Sequence, residues 1–213
     1  MNRIAACLLT TVLLSSCQQR EVKKRAIDDL SSLKSEFLNK VSSSNIEEGP
    51  FDFNYSYRTV FFSKEIISFF GELTVHDRLP HGWKQYEGKT FYKSNGHWRE
   101  VQLDDLFHSE NQKEFLKTFC EKSLRSNLMS YFSGDNPLHT TLEDEDLSTF
   151  VIDSHHLIII FQPYSVAGCT DGPFVVKIPF TTLQNCWKNP PLAYSMLTQA
   201  IDSGVYIASW DYA

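Results

Sequence analysis

The sequence predicts an α+β fold, helices gathered around a β-sheet, on three observations. Residues 147–183 hold three short apolar runs, at 150–152, 157–161 and 174–176 with Ile178. Asp153 to His156, Pro163 and the Gly168/Gly172 pair separate them. β-Branched and aromatic runs bounded by turn residues read as strands. Runs apolar at consecutive positions belong in the middle of a sheet covered on both faces. Upstream, Phe51, Phe53, Tyr55 and Tyr57 alternate with polar residues, the period of a strand with one face buried. Finally, residues 27–41 and 115–128 carry apolar side chains at spacings of three and four, which gives each helix one stripe to bury.

In chain order, residues 1–16 have the form of a signal peptide. Arg3 supplies the positive start, and the apolar run 4–14 is too short to span a bilayer as a helix. Leu14-Ser15-Ser16-Cys17 follows, and it resembles a bacterial lipobox. The resemblance implies lipid transfer to the Cys17 sulfur, cleavage before Cys17 and acylation of the new amino group, palmitate being a common acyl chain. An ordinary signal peptide with a chance cysteine is the alternative. Two or three acyl chains on one residue anchor stably where one binds only marginally. Gln18 after the cysteine is compatible with sorting to a Gram-negative outer membrane, on its periplasmic or surface face. Residues 17–25 then form a lipidated tether, and 26–213 a single α+β domain.

Within that domain, Ile27, Leu30, Leu33, Phe37, Leu38 and Val41 make one stripe of a helix ending near Ser43, and Gly49-Pro50 breaks it. The alternating strand from Phe51 extends through 59–62. Residues 65–75 form the next, with Gly71 a bulge or a close contact. Residues 77–82 turn, and 89–92 with 97–101 form a hairpin across Asn95-Gly96, a pair that supplies positive φ. Residues 103–107 give a short turn of helix. Ser109 caps a longer one reaching Phe132, whose buried stripe is Phe115, Leu116, Phe119, Cys120, Leu124 and Leu128. The acidic run 143–146 reads as a solvated loop, since it lacks the spaced ligands and bend glycine of a calcium loop. A last helix covers 192–201.

At 213 residues with 42% hydrophobic and 22% charged side chains, the chain suits one core of ordinary composition. Loss of Arg3 takes the formal charge from −6 to about −7. Such a surface argues against nucleic acid and against polybasic attachment to anionic lipid, and it suits a basic protein partner or no charged partner. Of five cysteines, Cys7 leaves with the signal and Cys17 carries lipid. Cys169 and Cys186 can close a loop of about 16 residues, a bridge contributing on the order of 3 kcal/mol; free thiols are the alternative. Cys120 sits in the helical stripe as a small hydrophobe.

With the elements placed, the chain resembles a bacterial domain of unknown function. That domain is found in the extracellular region of lysozyme-sensing anti-sigma factors and beside the catalytic domain of some peptidoglycan deacetylases. Its C-terminal signature is matched by the strand 157–161, Pro163-Tyr164-Ser165-Val166-Ala167, Gly172-Pro173, Val176, Ile178-Pro179-Phe180 and Leu183. Upstream, Leu79-Pro80-His81-Gly82, the Ser68 strand and Gly96 through Leu103-Asp104-Asp105-Leu106-Phe107 echo it. The likeness runs from Ile27 to Leu183. Where the family has paired glycines this chain has Asp77-Arg78-Leu79-Pro80, so that loop follows another path. The resemblance implies a mixed, mostly antiparallel sheet with helices packed on one face. It also implies a non-enzymatic binding or sensing module of the cell envelope, engaging lysozyme or another basic protein. A peptidoglycan-active enzyme or accessory domain, or a structural envelope protein, is the alternative.

No nucleophile elbow, zinc-protease helix, phosphate loop or dinucleotide fingerprint occurs, so neither catalytic residues nor a cofactor or metal is expected. His155 and His156, neighbours at a strand edge, should point to opposite faces and so not share a metal. His76, Asp77 and His81 surround one turn but lack a distant further ligand. Cys169 has no histidine base nearby in sequence. Partner contacts are expected from the loops 77–87 and 165–173, with Asp77, His81, Trp83, Tyr86, Tyr164 and Asp171 as candidates. For Trp83, Tyr86 and also Trp98, burial in the core is the competing fate of such aromatics.

Overall fold

The computed structural model describes residues 24, 28, 52–62, 65–76, 83–128, 141–163, 165, 166 and 174–183. The chain divides into two compact units, residues 1–52 and 53–213. Of the first, Lys24, Asp28 and Asp52 are described; Lys24 and Asp28 are helical, Asp28 within the predicted segment, and Asp52 opens the first strand. Cys17, the turn 77–82, the loop 167–173, Cys186 and the helix 192–201 lie outside the described residues.

The α+β class holds, with one change: the strands form two antiparallel sheets, not one mixed sheet. The first has the order β1-β2-β3-β4: Asp52–Phe62, Ile66–His76, Trp83–Ser94 and His97–Glu100. The second has the order β5-β6-β7: Phe150–Ile152, His156–Phe161 and Phe174–Pro179. Among the described residues after position 52, three helical segments flank them, α1 (Leu103–Leu106), α2 (Glu110–Leu128) and α3 (Phe180–Leu183), with a 3-10 turn at Glu145–Leu147.

The apolar run of β6 explains the layering. Leu157, Ile159 and Phe161 face a cluster with Val176 and Ile178 of β7 and Leu116, Cys120 and Leu124 of α2. Ile158 and Ile160 face the other way, onto Val60, Phe70 and Tyr86 of the first sheet. Both faces of β6 are therefore covered, as its unbroken hydrophobicity demands. The helix α2 packs on one face of the second sheet and the first sheet on the other. Each such side chain, fully buried, stabilises by about 1.5–3 kcal/mol.

The first sheet departs from expectation in two places. β3 starts at Trp83 rather than Lys89, because residues 83–88 pair with 70–75 of β2 despite their charges and glycine. The β2–β3 register also runs unbroken through Gly71↔Glu87, so Gly71 makes no bulge. The close approach is at Gly88. A Cβ there would meet the carbonyl oxygen of Phe150 and lie 2.7 Å from its carbonyl carbon, so only glycine lets β5 cross β3. The β3–β4 hairpin turns as predicted, with Asn95 and Gly96 at φ 51° and 82°, the pair of left-handed residues that a type I′ turn requires.

Polar side chains stitch the two sheets. Ser68 Oγ accepts from Ile152 N at 3.2 Å and shares a buried 2.9 Å hydrogen bond with Thr90 Oγ1. Gln162 does more. Its Oε1 accepts from Tyr86 N at 2.9 Å and its Nε2 donates to Tyr86 O at 2.6 Å. The side-chain amide thus supplies the donor and acceptor that a neighbouring strand would have given that edge of β3.

Candidate functional site

Of the residues expected to contact a partner, two fall among those described. Tyr86 is corrected: it is 2% exposed, stacks on Phe70 at 5.7 Å between ring centroids, and belongs to the core. Its alternation with charged neighbours in β3 turns it inward. Trp83 opens β3, opposite Val75. Asp77, His81, Tyr164 and Asp171, with Cys169 and Cys186, lie outside the described residues. Trp98, on β4, is half-buried with Lys93 Nζ 5.7 Å from its ring centroid, a cation–π distance.

The helical side of the molecule carries the strongest charge pattern. The segments 103–128 and 141–148 hold nine carboxylates against four Lys and Arg side chains, in a chain of net −6. The four strands of the first sheet hold four carboxylates against five. The run 143–146, expected as a solvated loop, is partly organised instead. Its 3-10 turn is tied to α2, with Asp144 2.7 Å from Lys117 Nζ and 3.7 Å from Lys113 Nζ. Lys113 also reaches Asp104 of α1 at 2.7 Å. Hydrogen bonding to Asp144 raises the pKa of Lys117, and bonding to Asp104 raises that of Lys113. The Lys117 ammonium in turn holds the Asp144 carboxyl below its ordinary range. These pairs consume Lys113 and Lys117 internally, and Asp105, Glu110, Glu114, Glu143 and Glu145 stay exposed.

The start of α2 is tied by a backbone bond and by the Gln112 side chain reaching back, the glutamine half of a capping box. Ser109 O accepts from Gln112 N at 2.9 Å, and Gln112 Oε1 accepts back from Ser109 N at 3.1 Å and His108 N at 2.8 Å. Leu116, Cys120 and Leu124 form the buried stripe, each at most 1% exposed. Phe115, expected in that stripe, is 37% exposed and leans on half-buried Phe119, 6.4 Å between centroids. Cys120 is a free thiol whose burial pushes its pKa up to about 12, which makes it a packing group and a poor nucleophile at neutral pH.

The sequence places His155 and His156 on opposite faces of a strand edge. The structure differs, because β6 begins at His156 and His155 sits in the bend before it. Asp153, 9% exposed, organises the turn. Its Oδ1 accepts from His155 N and His156 N, both at 2.7 Å, and lies 3.1 Å from His156 Nδ1. Asp153 N donates to His156 O at 3.1 Å, and Phe180 N donates to His155 O at 2.9 Å. No sequence signal separated this turn from an ordinary hairpin beyond the Asp-x-His-His order itself.

Comparison with known proteins finds a family model that matches part of the chain and a solved structure of similar fold. A family model described as "Protein of unknown function (DUF3298)" matches residues 104–181, from α1 into α3. This supports the resemblance to a domain of unknown function over that span. Among solved structures the chain is similar to the crystal structure of a member of the DUF3298 family from Bacteroides fragilis, at 17% identity and a TM-score of 0.51. The alignment covers 80% of this chain and 66% of that one, just under two thirds of its length. At that identity the likeness speaks for the fold alone. No curated protein matches the chain.

Proposed function

We propose that this chain is a lipid-anchored binding module of the cell envelope that engages a cationic protein partner, lysozyme being the simplest example, and catalyses no reaction. The observation that carries the reading is the segregation of charge. The α1–α2 side, with its 3-10 turn, holds more than twice as many carboxylates as cations, and two of those cations are already paired internally. Such a surface raises the encounter rate with a basic protein through long-range attraction. The Leu14-Ser15-Ser16-Cys17 segment supports the anchor, since acyl chains on Cys17 would hold the module at a membrane surface. The test is co-sedimentation of membranes carrying the full chain with lysozyme at low and high salt. Salt-sensitive retention of lysozyme is the expected result; retention equal to that of membranes lacking the chain removes the reading.

A further inference from the structure

We propose that the β5–β6 turn is a metal site in which His155 and His156 together hold one divalent cation of the imidazole-preferring kind, Cu²⁺, Ni²⁺ or Zn²⁺. This does not depend on the partner-binding reading above. Adjacent residues on a strand cannot chelate together, but His155 lies in the bend and escapes the alternation. The two rings stand 6.2 Å apart between centroids, at 88°. Two imidazoles on one ion, with metal–nitrogen bonds of about 2.0–2.1 Å, bring their centroids to roughly 5 Å when the ion is tetrahedral and roughly 4.5 Å in the tetragonal geometry of Cu²⁺. His155 is exposed, so its side chain is free of core packing that would oppose the rotation that chelation requires.

The backbone is already held. Four hydrogen bonds fix the turn: the two amides on Asp153 Oδ1, Asp153 N on His156 O, and Phe180 N on His155 O. The His156 ring is held as well, its Nδ1 at 3.1 and 3.2 Å from the two oxygens of the nearly buried Asp153. That contact leaves Nε2 as the free, ligating nitrogen on a side chain 32% exposed. A carboxylate behind a histidine in this way is the arrangement that orients metal-ligating imidazoles and raises their basicity. Among the described residues no three ligating side chains gather around one point. The protein therefore supplies two ligands, and solvent or a ligand borne on the ion supplies the rest. With imidazole donors and open positions, affinity should follow Cu²⁺ over Ni²⁺ and Zn²⁺.

The test is calorimetric titration of the untagged full chain in detergent with each metal chloride, with electron paramagnetic resonance of the Cu²⁺ form to count nitrogen ligands. One saturable equivalent with two imidazole nitrogens is expected. His155→Ala and His156→Ala should each weaken Cu²⁺ binding at least tenfold, and Asp153→Asn by about 10–100-fold. His97→Ala and His108→Ala should change nothing. His155 is exposed and outside the core, so its variant keeps the fold and the experiment stays decisive. Unsaturable binding, or an affinity unchanged in the His155/His156 double variant, overturns the site. An affinity unchanged in Asp153→Asn overturns the orienting role of the carboxylate.

Discussion

Gln162 occupies a position few side chains could fill. Its amide reproduces, in one residue, the pair of hydrogen bonds that a strand makes with Tyr86. Gln162→Ala leaves a partly buried backbone donor and acceptor unpaired, a loss of about 1–3 kcal/mol. Chemical denaturation should show the midpoint falling by a corresponding amount; an unchanged midpoint would mean water replaces the amide. Cys120 gives the opposite case, a polar group kept neutral. Burial raises its pKa to about 12 in the folded state, against an ordinary value of 9.0. A raised folded pKa contributes stability that is intact below pH 9 and is lost as pH climbs toward 12. Peptide mapping after thiol alkylation at pH 8 should find Cys120 unmodified in the native chain and modified once denaturant is added. Neither the Gln162–Tyr86 contact nor the Asp153 turn was legible in the sequence. Tyr86 looked like a loop aromatic because its neighbours Lys84, Glu87 and Lys89 are charged, yet strand alternation sends it to the core. Gln162, a polar residue after an apolar run, carried no signal of the strand edge it completes.

At the scale of the element, α2 separates what packing fixes from what it leaves open. Leu116 is fully buried between α2 and the second sheet, so Leu116→Ala should cost about 2–5 kcal/mol. Phe115→Ala, one residue away, should change stability by less than about 0.5 kcal/mol. A thermal melt of the two variants side by side checks the contrast, and equal losses would place Phe115 in the core. The sequence could not tell them apart, because four apolar residues at 115, 116, 119 and 120 admit a stripe centred on either edge. The ion pairs on the same helix set an acid limit. Asp144 has a lowered folded pKa through Lys117, so its contribution is present above the unfolded value and lost as pH falls through the folded one. The tie between α2 and the 3-10 turn should therefore loosen below about pH 4, seen as faster amide exchange at residues 143–147 while Leu116 and Leu124 stay protected. Strand existence was the easiest feature to read, since β6 and the Asn95-Gly96 turn announce themselves. The start of β3 was not, because residues 84–88 bury only Tyr86, between charged and polar neighbours, and hold no apolar run.

At the scale of the molecule, two sheets meet through contacts that allow little slack: the Gly88–Phe150 crossing, Ser68 on Ile152, Gln162 on Tyr86. Two sheets instead of one follow from this geometry and not from composition, for nothing in a list of strands states which of them pair. The packed sheets leave a helical side rich in carboxylates, and under the proposed function an acyl anchor would hold that body at a membrane. Under that proposal, anchoring and partner binding rest on different residues, and their separation can be measured. Cys17→Ser should release the chain from membranes, because no acyl chain remains to partition, while leaving its affinity for a cationic protein unchanged. Charge reversal at Glu110 and Glu114 should do the reverse, keeping the chain at the membrane and weakening binding. The weakening should also be salt-dependent. Raising ionic strength from 0.15 M to 1 M shortens the screening length from about 8 Å to about 3 Å, so the wild-type and reversed chains should converge at high salt. Binding that survives 1 M salt, or that the reversal leaves untouched, would show that the partner is held by apolar contacts elsewhere and that the acidic side serves only solubility.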